Sequence, residues 1–259
     1  RSDVPVGAYL SGGIDSSSIV ALMSKFGTKK INTFTLVYEG DYPNKNLDRK
    51  FAKKVSTIFG TEHHEQTVTH AEIPECIDNI IQAFDEPFSG VISTFFITQL
   101  ISKYVKVALS GDGADEIFGS YIGPRIAQPI SLLAAKQGHI ENLTDTELKA
   151  IQAFDVDPNK VIEVLKRGDE AEQRMGLYIS DDTQKIELYS AYMREITDKT
   201  VTSDIVRAHL ATCPSYDPVN RALLLDLKTL LPDQVLMFVD RLSMKHSVEV
   251  RPPFLDHNL

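Results

Sequence analysis

The stretch Leu10-Ser11-Gly12-Gly13-Ile14-Asp15-Ser16-Ser17-Ser18 constrains the fold of this chain more than any other. A short apolar run, Val4 to Leu10, precedes it. Ile19, Val20, Leu22, Met23 and Phe26 follow at helical spacing, and Gly27 ends the pattern. The order is strand, tight loop, helix. Two adjacent glycines let the backbone turn sharply and approach a ligand with no Cβ in the way. The helix start offers unpaired N–H groups and the positive end of a dipole, which suits an anion. Ser11, Ser16, Ser17 and Ser18 add neutral donors. Asp15 repels a phosphate unless a cation lies between them, so the loop reads as a phosphate site that also holds Mg²⁺. A serine-rich turn capped by Asp15 or Ser16 is the plainer reading. The coincidence of strand, glycine pair, acid and serine cluster outweighs it. No lysine follows the glycines, which excludes a Walker loop.

The same logic returns further on. Val105-Lys106-Val107-Ala108-Leu109 reads as a strand and runs into Ser110-Gly111-Asp112-Gly113-Ala114-Asp115-Glu116-Ile117-Phe118-Gly119-Ser120-Tyr121. Between the two loops, Ile31–Tyr38 is β-branched and apolar, a second buried strand joined to the first by a helix. That connection favours a parallel pair with a right-handed crossover. Leu47–Phe59 and Ile73–Phe84 have helical spacing, and His63 to Val68 reads as a third strand. Its adjacent histidines, His63 and His64, point to opposite faces and are poorly placed to share one metal. Phe95 to Ile101 reads as a buried helix, and Asp85-Glu86-Pro87 sits at a helix end, against the dipole. In an open parallel sheet, ligands bind beyond the carboxyl ends of the strands. Both glycine-rich loops belong there, and Asp15 and Asp115 could clamp one Mg²⁺.

From Ile122 to about Tyr216 no strand pattern appears, and helical stretches recur: Ile126–Lys136, Thr146–Phe154, Val161–Lys166, Lys185–Ile196 and Ser203–Leu210. Glu170, Glu172 and Arg174 read as a solvated helix face. A further helix is expected from Gln234 to about His246. Asp240, Arg241, Glu249, Arg251 and Asp256 read as an internal ion network. The expected fold class is therefore α/β: a Rossmann-like parallel sheet with a pyrophosphate loop, followed by a helical subdomain. The division is residues 1–121 for the nucleotide-binding core and 122–259 for a helical part packing back on it.

A net charge of −9 argues against a broad nucleic-acid surface. No apolar run is long enough to cross a membrane, and no signal-peptide pattern is read. Cys76 and Cys213 lie far apart, without metal-type spacing, as two reduced thiols of a cytoplasmic protein would. The start at Arg1 and the stop at Leu259 suggest a fragment of a longer protein.

The first loop resembles the pyrophosphate loop, Ser-Gly-Gly-x-Asp-Ser-Ser, of the N-type ATP pyrophosphatases. The second narrows the resemblance. Ser110 to Tyr121, Asp85-Glu86-Pro87, Leu231-Pro232-Asp233, Val239-Asp240-Arg241-Leu242-Ser243-Met244, Glu249-Val250-Arg251 and Pro253-Phe254-Leu255-Asp256 are similar to the asparagine synthetase family. That resemblance implies an AMP-forming carbon–nitrogen ligase using ATP and Mg²⁺. The side-chain carboxylate of aspartate is adenylated, pyrophosphate leaves, and ammonia displaces AMP. It implies that Leu10 and Leu36 flank the adenine, that Ser11, Gly12, Gly13, Asp15, Ser16 and Ser17 hold the pyrophosphate, and that Ser110 and Gly111 approach the nucleotide. Asp15 and Asp115 would bind Mg²⁺, and Asp112 would orient or deprotonate the ammonia. The family's glutaminase domain, with its N-terminal cysteine, has no counterpart here and would be the partner that delivers ammonia. A homodimer is compatible with the family.

Pro252 departs from the family, which more often has one apolar residue before Pro253. The family's late lysine falls beyond Leu259. Two other functions remain open at this level. One is a β-lactam synthetase-like amide ligase, although that family tends to carry tyrosine where this chain has Asp112. The other is a nucleotide-binding module without turnover, against which the intact Asp15, Asp112 and Asp115 argue.

Overall fold

The computed structural model describes residues 2–27, 29–84, 92–154, 156–177, 182–197 and 201–259. In chain order the elements are β1 (Val6–Tyr9), α1 (Ile14–Phe26), β2 (Asn32–Tyr38), α2 (Pro43–Phe59), β3 (Glu62–Val68), α3 (Glu72–Ile81), α4 (Ser93–Ser102), β4 (Val107–Leu109) and α5 (Ala114–Phe118). There follow α6 (Ile122–Ala135), α7 (Asp145–Ala153), α8 (Pro158–Leu165), α9 (Glu170–Met175), α10 (Asp182–Leu188), α11 (Ala191–Thr197), α12 (Thr202–Ala211) and α13 (Pro218–Leu225). A π-helical stretch, Asp226–Leu236, leads into α14 (Met237–Lys245) and β5 (Glu249–Arg251). Asp85-Glu86-Pro87 lies outside the described residues.

The chain divides into two compact units, residues 1–114 with 232–259, and residues 115–231. This division differs from 1–121 and 122–259 because the last segment contributes a strand. In the first unit the strands are ordered β3-β2-β1-β4-β5, all parallel. The chain winds outward from β1 through β2 to β3, then returns to the other side of β1 with β4. The order therefore reverses between β1 and β4, the two strands that carry the glycine-rich loops. Such a switch point leaves a crevice at the carboxyl ends of the strands.

Alternation along the strands buries both faces of this sheet, as parallel sheets require. Ala8 and Leu10 pack with Val20 and Ala52, and Met23, Val55 and Phe59 close over them from α1 and α2. On the other side Phe34 and Ala108 pack with Ile97, Leu100, Ile101, Val105 and Val248, with Tyr9, Leu36 and Val250 against them. His63 and His64 do face opposite ways. His63 Nδ1 meets Thr33 Oγ1 at 3.0 Å, while His64 Nε2 meets Asn32 Oδ1 at 2.9 Å and its ring stacks 3.8 Å from that of Tyr104.

The second unit is helical. One core gathers Ala171, Met175, Val206, Leu210 and Leu225, and another Leu133, Ile151 and Val161. The stretch read as one helix over Lys185–Ile196 is two, α10 and α11, broken at Tyr189-Ser190. The face of α9 is solvated at Glu170 and Glu172, whose side chains are each 45% exposed, and buried at Arg174. Asp169 and Glu172 close a capping box at its start. Arg207 on α12 then pairs with Asp169 at 2.6 Å and Glu172 at 2.9 Å, and Arg221 on α13 with Glu170 at 2.7 Å. Arg174 is buried and donates to the fully buried Asp226, passing over Gly123 where any Cβ would collide with its guanidinium.

The charged residues expected to form an internal network near the C-terminus are not internal: Asp240, Arg241, Glu249 and Asp256 are exposed and Arg251 is half-buried. Glu249 and Arg251 share a strand face and pair with one another at the surface, 2.6 Å apart. Asp256 accepts from the backbone of Asn258 at 2.9 Å, and Asp240 and Arg241 are exposed.

Candidate active site

β1 ends at Tyr9, and the loop that follows is locked by its own serines. Ser11 N–H donates to Ser16 Oγ at 3.2 Å, the two hydroxyls lie 3.0 Å apart, and Gly13 N–H donates to Ser11 Oγ at 3.3 Å. Gly12 has φ +82°, and a Cβ there would lie 2.5 Å from Ala52 N and 2.6 Å from Phe51 Cβ. This position needs glycine both for its dihedral and for the approach of α2. Gly13 is different. Its φ is −70°, and a Cβ would meet only Ser11 Oγ, at 3.4 Å. The space in front of Gly13 is therefore open on the side away from the protein.

Gly13 is the N-cap of α1 and no side chain caps that helix. Its first-turn amides face the same crevice, the setting in which a helix start holds an anion. Asp15, in the first turn, is partly buried. The second loop comes close: a Cβ on Gly111 would lie 3.2 Å from Asp15 Cβ and 3.3 Å from Ser16 N. Ser110 N–H donates to Arg251 O at 3.1 Å, so β5 helps hold this loop.

Three buried hydroxyls have no hydrogen-bond partner: Tyr9 Oη, Ser17 Oγ and Ser110 Oγ. Among the described residues they are the only buried hydroxyls in that condition, and all three lie at the ends of β1 and β4 or in the first turn of α1. An unsatisfied buried hydroxyl costs free energy, and a polar ligand in the crevice would remove that cost. Burial first, and the nearby Asp112 carboxylate second, hold the Tyr9 phenol well above its ordinary range, so it stays neutral and able to donate.

Leu10 is held in the core at the end of β1. Its side chain is 1% exposed, its N–H donates to Phe34 O at 2.9 Å, and its carbonyl accepts from Thr35 Oγ1. Leu36 is partly exposed on β2. Asp115 belongs to the second unit, where one carboxylate oxygen accepts from Ser120 Oγ and its carbonyl from Gly119 N–H at 2.9 Å. Among the described residues no three His, Cys, Asp or Glu side chains cluster as an all-protein metal cage. A donor set of one or two carboxylates completed by phosphate oxygens and water is what Mg²⁺ commonly takes.

Cys76 packs beside Ile80 and Phe84 on α3, and burial followed by the charges of Glu72 and Glu75 raises its thiol pKa. Cys213 follows the end of α12 and is partly buried. Sequence reasoning missed Tyr9: the alternation marks it as a strand residue, and nothing in the spacing says that its hydroxyl is left without a partner. No helix among the described residues is long and apolar enough to cross a membrane.

Comparison with known proteins agrees with this geometry. The family model described as asparagine synthase matches residues 1–259. The chain is 30% identical over 261 residues to asparagine synthetase (glutamine-hydrolyzing) 1 of Bacillus subtilis, covering 99% of this chain and 39% of that protein. It is 31% identical over 268 residues to a putative asparagine synthetase (glutamine-hydrolyzing) of Mycobacterium tuberculosis, covering 99% of this chain and 38% of that one. A putative asparagine synthetase (glutamine-hydrolyzing) 2 of Methanocaldococcus jannaschii is 41% identical over 125 residues, 47% of this chain and 24% of that protein. The chain thus spans about two fifths of the first two relatives. With a family match along its whole length and the two glycine-rich loops meeting at the switch point of a parallel sheet, the chain belongs to the asparagine synthase family.

Proposed function

We propose that the chain carries out the ligase chemistry of asparagine synthesis. ATP activates the side-chain carboxylate of aspartate as its adenylate, pyrophosphate leaves, and ammonia displaces AMP to give asparagine. A carboxylate is a poor acyl donor, and AMP gives it a good leaving group. The observation that supports this most is the close approach of the two glycine-rich loops at the β1–β4 switch point, Gly111 against Asp15, beside an uncapped helix start.

In this reading Ser17 Oγ and the first-turn amides of α1 hold the pyrophosphate oxygens. Gly12 and Gly13 let those oxygens reach the backbone, and Ser11 and Ser16 keep the loop in shape. Ser110 and Gly111 lie along the nucleotide, with Leu10 and Leu36 flanking the adenine. Asp15 and Asp115 are the carboxylates that would hold Mg²⁺, which when bound offsets phosphate charge. Asp112 accepts a proton from the incoming nitrogen or orients it. A glutaminase domain supplies the ammonia, in keeping with the glutamine-hydrolyzing names of the relatives. The reaction and the two unpaired cysteines suit the cytoplasm.

The test is competition and metal dependence. Pyrophosphate should displace ATP, and Asp15→Asn and Asp115→Asn should weaken Mg²⁺–ATP binding far more than binding of free nucleotide. Failure of pyrophosphate to compete would mean that the phosphates are misplaced. Unchanged affinity ratios in both variants would remove the shared cation.

A further inference from the structure

Tyr9 is the last residue of β1. The register pairs Ala8 with Leu109, so Tyr9 lies beside Ser110, two residues before Asp112. Its ring packs on the α4 side of the sheet with Phe34, Ile97 and Val248, opposite to the α1–α2 side taken by Ala8 and Leu10. The ring is partly exposed, but the hydroxyl oxygen is sealed and has no acceptor within hydrogen-bond distance. A phenylalanine would fill the same space without stranding a hydroxyl. The Asp112 carboxylate is the charged group that acts on this phenol. Pairing the two requires a change of rotamer at Asp112 from the one in this structure.

We infer that Tyr9 is a positioning residue, whose hydroxyl donates to the Asp112 carboxylate and holds it toward the incoming nitrogen. This rests on the role given to Asp112 above. A neutral phenol giving its proton to a carboxylate makes a charge-assisted hydrogen bond, short and directional. It keeps an acid in a single rotamer and leaves it an acceptor for an N–H.

The chain has nine tyrosines and no tryptophan, so tyrosine emission is read directly. A carboxylate acceptor quenches that emission. Asp112→Asn should brighten the chain that has Tyr9 and leave the emission of the Tyr9→Phe chain unchanged. Tyr9→Phe should lower kcat about tenfold, the worth of one hydrogen bond to a charged group, with KM for ATP unchanged. Equal emission changes in both backgrounds would overturn the pairing. So would a lower Tm with kcat intact, which marks a purely structural tyrosine. The emission cycle needs no turnover. A coupled pair without AMP formation sinks the ligase reading alone, and AMP formation without coupling sinks this one alone.

Discussion

Gly12 and Gly13 are neighbours in sequence and opposites in space. Gly12 is pressed against α2 at a positive φ, whereas Gly13 has an ordinary dihedral and open space before it. Gly12→Ala should therefore cost stability, about 1 kcal/mol or more from backbone strain alone, and be read as a lower urea midpoint. Gly13→Ala should leave that midpoint within about 0.5 kcal/mol and still weaken ATP and pyrophosphate in parallel, because its methyl group stands where phosphate must approach. Equal stability losses in the two variants would contradict this division. The loop itself was legible in the sequence, since strand, glycine pair and helix start follow from residue type. The division of labour among its serines was not. Ser16 is spent on Ser11 and Ser17 is left without a partner, a difference of direction between identical side chains that composition does not encode.

At the scale of elements, α9 shows how a charged surface pattern conceals burial. Glu170, Glu172 and Arg174 alternate as a solvated face would, yet arginines from α12 and α13 meet the acids and Arg174 passes inward to Asp226. Burial raises the Asp226 pKa despite the opposing pull of Arg174. Such a pair contributes more to a single packing than to net stability. Asp226→Ala strands a buried guanidinium and should cost about 3–5 kcal/mol. Arg174→Met with Asp226→Leu should restore most of that loss in urea unfolding. A double variant no better than Asp226→Ala would show that the charges themselves hold these helices. The long strands and helices were legible from periodicity, as β2, α2 and α4 show. β5 was not, because a three-residue strand with charge on either side of Val250 carries no pattern of its own. Nor was the π stretch, where Pro232 removes a backbone donor and Thr229 Oγ1 donates to Leu225 O at 2.7 Å.

For the whole molecule, the sheet and its covering helices partly bury histidines that prefer to be neutral. Desolvation lowers the pKa of His63, His64 and His246 below the ordinary imidazole value. The unfolded chain then binds more protons than the folded one as pH falls below about 6.5. Stability should be level from pH 8 to 7 and decline as pH falls through that value toward the folded pKa values. Tm against pH checks this, and His64→Gln should flatten the decline. A Tm that rises on acidification would refute it. The central claim concerns chemistry: a crevice built for pyrophosphate at the β1–β4 switch point of an asparagine synthase fold. Its most direct measurement is the nucleotide product formed from ATP with aspartate, ammonia and Mg²⁺. The account predicts AMP and pyrophosphate in equal amounts with asparagine, and no gain when β-amino acids replace aspartate. ADP and inorganic phosphate as the products, or AMP formed only with a β-amino acid acceptor, would contradict it.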